Sequence, residues 1–565
     1  MSFRELYEDE INGFWERLGR LAVRYPRLER LYARDADSRV ARLVQSAGFA
    51  FASTRERLED DGQSLLRPVV GRALPECLRP RPASTILELS HQRGFAGDVL
   101  GTTFEASVDG IEAPFEVVWS AVPGPFELED VRIDRLHARL QVLRFVLVAR
   151  DGASLGNVLP EWTRFFVHVD QRKVALDVLH SLRAAKEEGR VVAFDGEGRR
   201  VSDIALSRDA FRWSRIDTDE PPLVSARQDR FVSSTLLRDL AAFPESFCFF
   251  SLQLGARSER VARVEVTLPL GRVVEEVSAF GLDNLRLFCV PATNQFVAPI
   301  ETLRAKAGPE WSLAVAERPH AEILEIRSLY AELLPTARGR LDIDSWEAPR
   351  KPHRFDSDAL YYLVEQDIVR TEARTRMRLS LGTVEGFFAP APSDLGGDVL
   401  ASDGTIVATL GLGDVAGHNI TRISRSERAL LGQDYGWRMN AYARMPPVRL
   451  AESLDEFVAL HRAHEPHEND AEIHVPRFVD PVHQREHRLA ADGFLQWGDV
   501  WTVGIGTDAS ECSDGEAWVT GALVARALAE RNEHLRFSRL VLQRGRHVFA
   551  EYDAPEGKRL PFPLG

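Results

Sequence analysis

The segment His483-Gln484-Arg485-Glu486-His487 holds residue types that bind zinc, in the H-x-x-E-H order. On a helix begun at Asp480-Pro481, its two imidazoles would stand one turn apart with the Glu486 carboxylate beside them, the arrangement of a zinc-dependent hydrolase. The third ligand would have to be a distant acid such as Glu551. The pattern also lies in a stretch rich in its own letters. His461, His464, His467 and His474 lie just upstream, so six of the 15 histidines fall between residues 461 and 487. A five-letter match arises easily there, and the reading favours a polar, solvated helix without a resident metal.

Gly152-Ala153-Ser154-Leu155-Gly156 matches G-x-S-x-G, in which a sharp strand-to-helix turn exposes a serine hydroxyl. A strand precedes it, but Pro160 follows within four residues and β-type sequence resumes at Phe165, so no helix N-terminus backs an oxyanion. Asp151-Gly152 signals a hairpin loop instead. A serine hydrolase built on Ser154 also lacks a nominated histidine and acid. Gly411-Leu412-Gly413-Asp414-Val415-Ala416-Gly417 misplaces the third glycine of a dinucleotide turn and reads as a glycine-rich sheet turn. The sequence holds no P-loop, and no cofactor is expected.

The elements that must position these segments follow from periodicity. Ile11, Phe14, Trp15, Leu18, Leu21, Ala22 and Tyr25 recur at three and four, one stripe of a helix ended by Pro26. A second helix fits Asp37 as N-cap with Val40, Leu43, Val44, Ala47, Phe51 and Leu58 on one face, stopping at Asp60-Asp61-Gly62. A third helical stretch, Leu65 to Leu78, is interrupted by Pro68 and Pro75, and Arg79-Pro80-Arg81-Pro82 is a stiff, extended exit. After Ser84 the pattern turns to strands at Thr85 to Leu89, Phe115 to Trp119 and Val142 to Val148. Phe165 to Val169 leads into a helix over Lys173 to Lys186. Trp501 to Ile505, a helix over Glu516 to Asn532 and Leu535 to Leu542 make a β-α-β order. The fold class is α+β: an N-terminal helical unit at 1–82, a β-rich domain at 83–195, an α+β domain at 196–330, a β-rich domain at 331–450 and an α+β domain at 451–565.

Composition bounds the function. In 565 residues, 30 Phe and 10 Trp exclude wholesale disorder. The net charge of −14 opposes general binding to phosphate backbones, so no nucleic-acid partner is expected. Apolar runs such as Val142 to Val148 are far shorter than the roughly 20 residues of a spanning helix, so no membrane insertion is expected. Acids within the first ten residues argue against a signal peptide, and the scattered Cys77, Cys248, Cys289 and Cys512 against a disulfide framework; both point to the cytoplasm. Five lysines against 66 arginines (71 − 5) read as a bias of base composition.

Several segments carry a recognisable text in order along the chain. They are Trp15, Ala22-Val23-Arg24-Tyr25-Pro26, Val40-Ala41-Arg42-Leu43, Phe49-Ala50-Phe51, Arg57-Leu58-Glu59-Asp60-Asp61, Leu74-Pro75 and Arg79-Pro80-Arg81-Pro82-Ala83-Ser84. Phe243-Pro244-Glu245-Ser246-Phe247-Cys248-Phe249-Phe250 and Phe288-Cys289-Val290-Pro291-Ala292-Thr293-Asn294-Gln295-Phe296 continue it, with Gly515 to Leu542 a weaker match. Together they resemble the TssF (VasA/ImpG) family of type VI secretion baseplate proteins.

The resemblance implies a non-enzymatic scaffold at the cytoplasmic face of the inner membrane, similar in role to wedge proteins of contractile phage tails. It implies that two TssF chains join one TssG in a wedge with TssK and TssE, that wedges surround the VgrG spike, and that the baseplate docks on the inner-membrane complex. On this footing Phe14, Trp15, Leu18, Leu21, Tyr25, Val40, Leu43 and Val44 are candidates for contact with partner helices or a second copy, against the plainer reading that they pack on their own chain. Phe243, Pro244, Glu245, Cys289, Pro291 and Asn294 are the structural residues of the two long motifs.

Overall fold

The structure, a computed structural model, describes residues 3–25, 38–90, 97–108, 111–137, 140–224, 231–255, 258–274, 280–304, 310–332, 340–345, 360–369, 374–383, 386–387, 393–403, 413–414, 417–426, 435–462, 476–489, 495–506, 512–532 and 536–554. Pro26, Asp37, Gly411, Leu412, Val415, Ala416, His464, His467 and His474 lie outside the described residues. The chain divides into two compact units, Met1–Leu74 with Leu430–Arg444, and Pro75–Ala429 with Met445–Gly565.

In the first unit the helix Phe3–Arg24 packs against a long helix, Ser38–Ala73, which also packs against the helix Tyr435–Arg444. Val44, Gly48 and Ala52, four residues apart, turn one inward row toward the first helix, whose Leu6 is buried. A Cβ on Gly48 would stand 2.8 Å from Ile11 Cγ1, so the absence of a side chain is what lets the two helices meet there. Glu10 and Arg55 pair across the seam at 3.4 Å.

The expected stop at Asp60-Asp61-Gly62 is corrected. The helix runs unbroken for 36 residues, through Gly62 and Pro68. A glycine costs about 1 kcal/mol in a helix and an interior proline about 3. Packing against two other helices outweighs these local terms, since most helical stability in proteins comes from tertiary contact.

Among the described residues the second unit holds six sheets, and the chain is α+β as its sequence implies. One six-stranded sheet has Cys289–Thr293 and Ser84–Leu89 side by side and antiparallel at its centre. Its core includes Leu87, Phe104, Phe115, Val117 and Val290. Beside these central strands the hydroxyls of Ser84 and Thr85 meet those of Thr293 and Thr421 at 3.3 and 3.1 Å. A four-stranded sheet runs Leu285–Leu287, Thr163–Val167, Phe249–Leu252, Phe211–Trp213. A five-stranded sheet has Leu140–Ala149 and Arg263–Leu270 paired along eight residues. Two further sheets enclose a core of Trp311, Leu379, Leu395 and Val399.

The C-terminal sheet runs Phe478–Leu489, Leu495–Ile505, Arg536–Arg544, His547–Ala554. Its two middle strands are parallel and joined through the helix Asp514–Ala529, the β-α-β order expected from the sequence. That helix starts with a reciprocal cap: Ser513 Oγ accepts from Glu516 N at 3.2 Å, and Ser513 N donates to Glu516 Oε2 at 2.8 Å. Among the described residues no helix is long and apolar enough to cross a membrane.

Candidate assembly surface and the junction of the motif segments

The zinc reading depended on a helix, and the structure overturns it. Residues Phe478–Leu489 are an edge strand. Asp480 adopts φ +50°, and the register slips between Val479 and Val482, so Asp480-Pro481 forms a bulge rather than a helix start. Beyond it, His483 faces Trp501, Glu486 faces Gly498 and His487 faces Trp497. Alternation therefore puts both histidines on one face and Glu486 on the other. Four residues of strand separate the imidazoles by about 13 Å, too far for one ion. His483 Nε2 pairs with Asp499 Oδ1 at 2.7 Å, and Glu486 pairs with Arg539 at 3.6 Å. Glu551 also engages Arg539, at 3.3 Å, so it joins Glu486 rather than the histidines.

The Ser154 segment is a crossing between sheets, not a hairpin loop. Asp151 and Gly152 take φ of +54° and +73°, after which a single helical turn, Leu155–Val158, carries the chain on. Ser154 Oγ donates to the backbone carbonyls of Val261 at 3.3 Å and Ser258 at 3.4 Å. A Cβ on Gly156 would lie 2.1 Å from Ser258 O, so the glycine serves close backbone approach. Gly413–Asp414 and Gly417–Asn419 pair as a short hairpin, as the glycine-rich turn reading expects.

On the helical unit, the candidate contact residues divide by position. Val44 is turned inward against the first helix and buried. Phe14, Trp15 and Leu18 are half-buried, with the Phe14 ring 5.4 Å from that of Phe51. Leu21, Tyr25 and Leu43 are exposed, Leu43 to 70%. Val40 lies one turn before Val44 on the long helix. Three further exposed aromatics went unnominated: Phe49, Phe51 and Trp437. Phe49 and Phe51 flank the seam, with the Phe49 ring 6.5 Å from that of Tyr7, and stay more than half exposed.

The motif residues meet around the start of Ser84–Leu89. Phe243 caps the helix Val232–Ala242, Pro244–Phe247 makes a 3-10 turn, and Phe249–Leu252 enters the middle of its sheet. Phe243, Phe247, Phe249 and Phe250 are fully buried. Burial raises the Glu245 carboxyl above its ordinary range, opposed by Arg172, which pairs with it at 2.8 Å. Ser246 Oγ accepts from Arg215 Nη1 at 2.5 Å and donates to Phe243 O at 2.8 Å.

Arg215 is a buried cation that sequence reasoning missed. Its second amino group pairs with Asp239, whose other carboxylate oxygen takes Arg81 Nη2 at 2.8 Å. Leu223 N also donates to Asp239 Oδ2, at 3.1 Å. The guanidinium of Arg215 lies over the Phe247 ring at 4.6 Å. Two arginines and an aspartate thus tie the Arg79-Pro80-Arg81-Pro82 segment to the Phe-Pro-Glu segment, a forked geometry lysine does not supply.

The second motif closes on the same place. Cys289 and Pro291 lie in a strand buried along its length, paired opposite Glu88 and Ile86, and burial pushes the Cys289 thiol well above its usual range. Asn294 N donates to Ala83 O at 2.8 Å, and Asn294 Nδ2 to Pro114 O at 2.8 Å. Asn294 Oδ1 accepts from Ser402 Oγ and Asp403 N, both at 2.9 Å. Through its backbone N–H and its side-chain amide, this one buried residue joins its own stretch of chain to three others.

A family model described as "Type VI secretion system, TssF" matches residues 1–559. No curated protein matches the sequence. Among solved structures, the chain is similar to one of the type VI secretion system TssK-TssF-TssG baseplate subcomplex, with 17% identity, TM-score 0.69, 91% of this chain and 99% of that one covered. It is also similar to a chain of the type VI secretion baseplate complex, with 14% identity, TM-score 0.51, and 98% and 99% covered.

Proposed function

The chain belongs to the TssF family of the type VI secretion system, and from that premise we propose that it is a structural subunit of the baseplate, holding neighbours in place rather than turning over a substrate. The observation that carries this reading is the outer face of the helical unit. Leu21, Tyr25, Leu43 and Trp437 stand exposed on its helices, and Phe49 and Phe51 stay more than half exposed although their rings flank the seam beside Tyr7 and Phe14. Covering each such side chain is worth about 1.5–3 kcal/mol, and a soluble monomer rarely leaves so many together in water.

The partner that covers this face is a TssG-like subunit, one for two copies of this chain, with the copies also touching each other. A TssK-like subunit joins them, in keeping with the subunits named for the similar subcomplex. TssE and the VgrG spike complete the neighbourhood, and the baseplate brings the chain to the cytoplasmic face of the inner membrane, against the inner-membrane complex. Co-expression with the TssG-like and TssK-like subunits, followed by native mass spectrometry, tests the reading. The expected species holds two copies of this chain per TssG-like subunit; a stable monomer that ignores both subunits contradicts it.

A further inference from the structure

The segment first noticed for its histidines has a different chemistry as a strand. Phe478–Leu489 is the outermost strand of the C-terminal sheet and pairs, among the described residues, only with Leu495–Ile505. Its first half is guarded by the Asp480-Pro481 bulge, a device that blunts sheet edges. Its second half, from His483 on, is regular. There Arg485 is 73% exposed, with Asp499 at 4.0 Å as its nearest carboxylate, and Asp499 is already taken by His483. On the other face Arg488 lies over the Phe537 ring at 4.2 Å, and Glu486 shares Arg539 with Glu551 and Asp553. The face that carries His483, Arg485 and His487 therefore has no carboxylate of the strand's own, on a chain of net charge −14.

Charge alone would fit a mere guard against aggregation. The flank of the edge argues otherwise. Trp497, opposite His487, is 56% exposed with its ring 5.5 Å from the imidazole, and Leu495 beside it is exposed as well. Arg536 stands across Trp497 on the next strand. A guard has no use for an exposed tryptophan, whereas tryptophan and arginine are the residues on which interfaces are anchored.

We infer that the His483–Leu489 edge is a strand-addition site for an extended, acidic segment of a partner protein. Backbone pairing along the edge supplies affinity, Arg485 and His487 select acidic side chains, and Trp497 packs on the incoming strand. This goes beyond the helical face proposed above and does not depend on it.

The test uses the full-length chain and an end-capped ten-residue peptide of alternating glutamate and valine, labelled with fluorescein, beside its lysine-for-glutamate counterpart. The acidic peptide should bind at least tenfold more tightly at low salt. Arg485→Glu and Trp497→Ala should each weaken it at least tenfold with unchanged thermal melts, and alternate amides of residues 483–489 should gain protection from hydrogen exchange. If Arg485→Glu lowers the melt, Arg485→Gln replaces it, with a threefold or greater loss expected. Equal binding of the two peptides, indifference to the Arg485 change, or no protection along the edge overturns the inference. So does displacement of the peptide by single-stranded oligothymidylate, which would mark a polyanion site, or self-association of the chain that Arg485→Glu abolishes, which would mark a contact between copies.

Discussion

Asn294 Nδ2 donates to the carbonyl oxygen of Pro114 at 2.8 Å, across 180 positions of sequence. The other end of the same amide accepts from Ser402 and Asp403, so one side chain holds the six-stranded sheet to the end of the strand Leu395–Ser402 in another sheet. Asn294→Ala would strand buried partners on two segments, Pro114 and Ser402-Asp403. A loss of about 3 kcal/mol is expected in urea denaturation of the full chain.

Asp239 sits between Arg81 and the wholly buried Arg215. Asp239→Asn would keep the shape and leave a buried cation without its counter-charge. The expected loss is about 3–5 kcal/mol by denaturant unfolding. Arg81→Met removes a partly exposed member, leaves the Arg215–Asp239 pair standing, and should cost clearly less.

His461 is buried, with Nδ1 donating to Phe457 O at 2.8 Å. Burial is the main cause of its pKa being pushed down to about 3, with Arg531 and Arg238 adding to it. The unfolded chain takes up a proton there near pH 6.5 and the folded chain does not. The stabilisation is therefore present above about pH 6.5 and lost as pH falls toward 3. Relative to His461→Gln, the native chain should lose about 1.4 kcal/mol of stability per pH unit below pH 6, read from denaturation at pH 7, 6 and 5.

His483 and Glu486 face opposite sides of their strand, so removing metal should change nothing. Dialysis against a chelator is expected to leave the thermal melt in place. A fall in the melt reversed by zinc would contradict the strand geometry.

Much of the fold was legible because its elements repeat at their own periods. The C-terminal β-α-β order, the strand within Leu140–Ala149 and the helix Arg172–Arg183 lie where alternation and three-four spacing put them. Two errors share a cause: local breakers were read without their tertiary setting. Gly62 and Pro68 would end an isolated helix, but this one packs against two others. Asp480-Pro481 reads as a helix start, yet a proline at a bulge on a sheet edge costs no ladder bond. Residues four apart share a face in strand and helix alike, so the His483 and His487 spacing could not choose between them; only Glu486, at an odd offset, tells them apart. The Arg81–Asp239–Arg215 junction was illegible because its members are 24 to 158 positions from one another and look like any others in an arginine-rich chain.

The outer face of the helical unit carries the central claim, and its residues offer an internal control. Leu21 and Leu43 are exposed, while Val44, next in sequence, is buried. Val44→Asp should lower the thermal melt of the helical unit, since it buries a charge. The most direct measurement is co-purification with the TssG-like subunit of the double variant Leu21→Asp, Leu43→Asp, beside its thermal melt. The expected result is an unchanged melt with complex recovery reduced at least a hundredfold, because two lost apolar contacts and two desolvated charges cost several kcal/mol of association. Full recovery of the complex by a folded double variant would contradict the account.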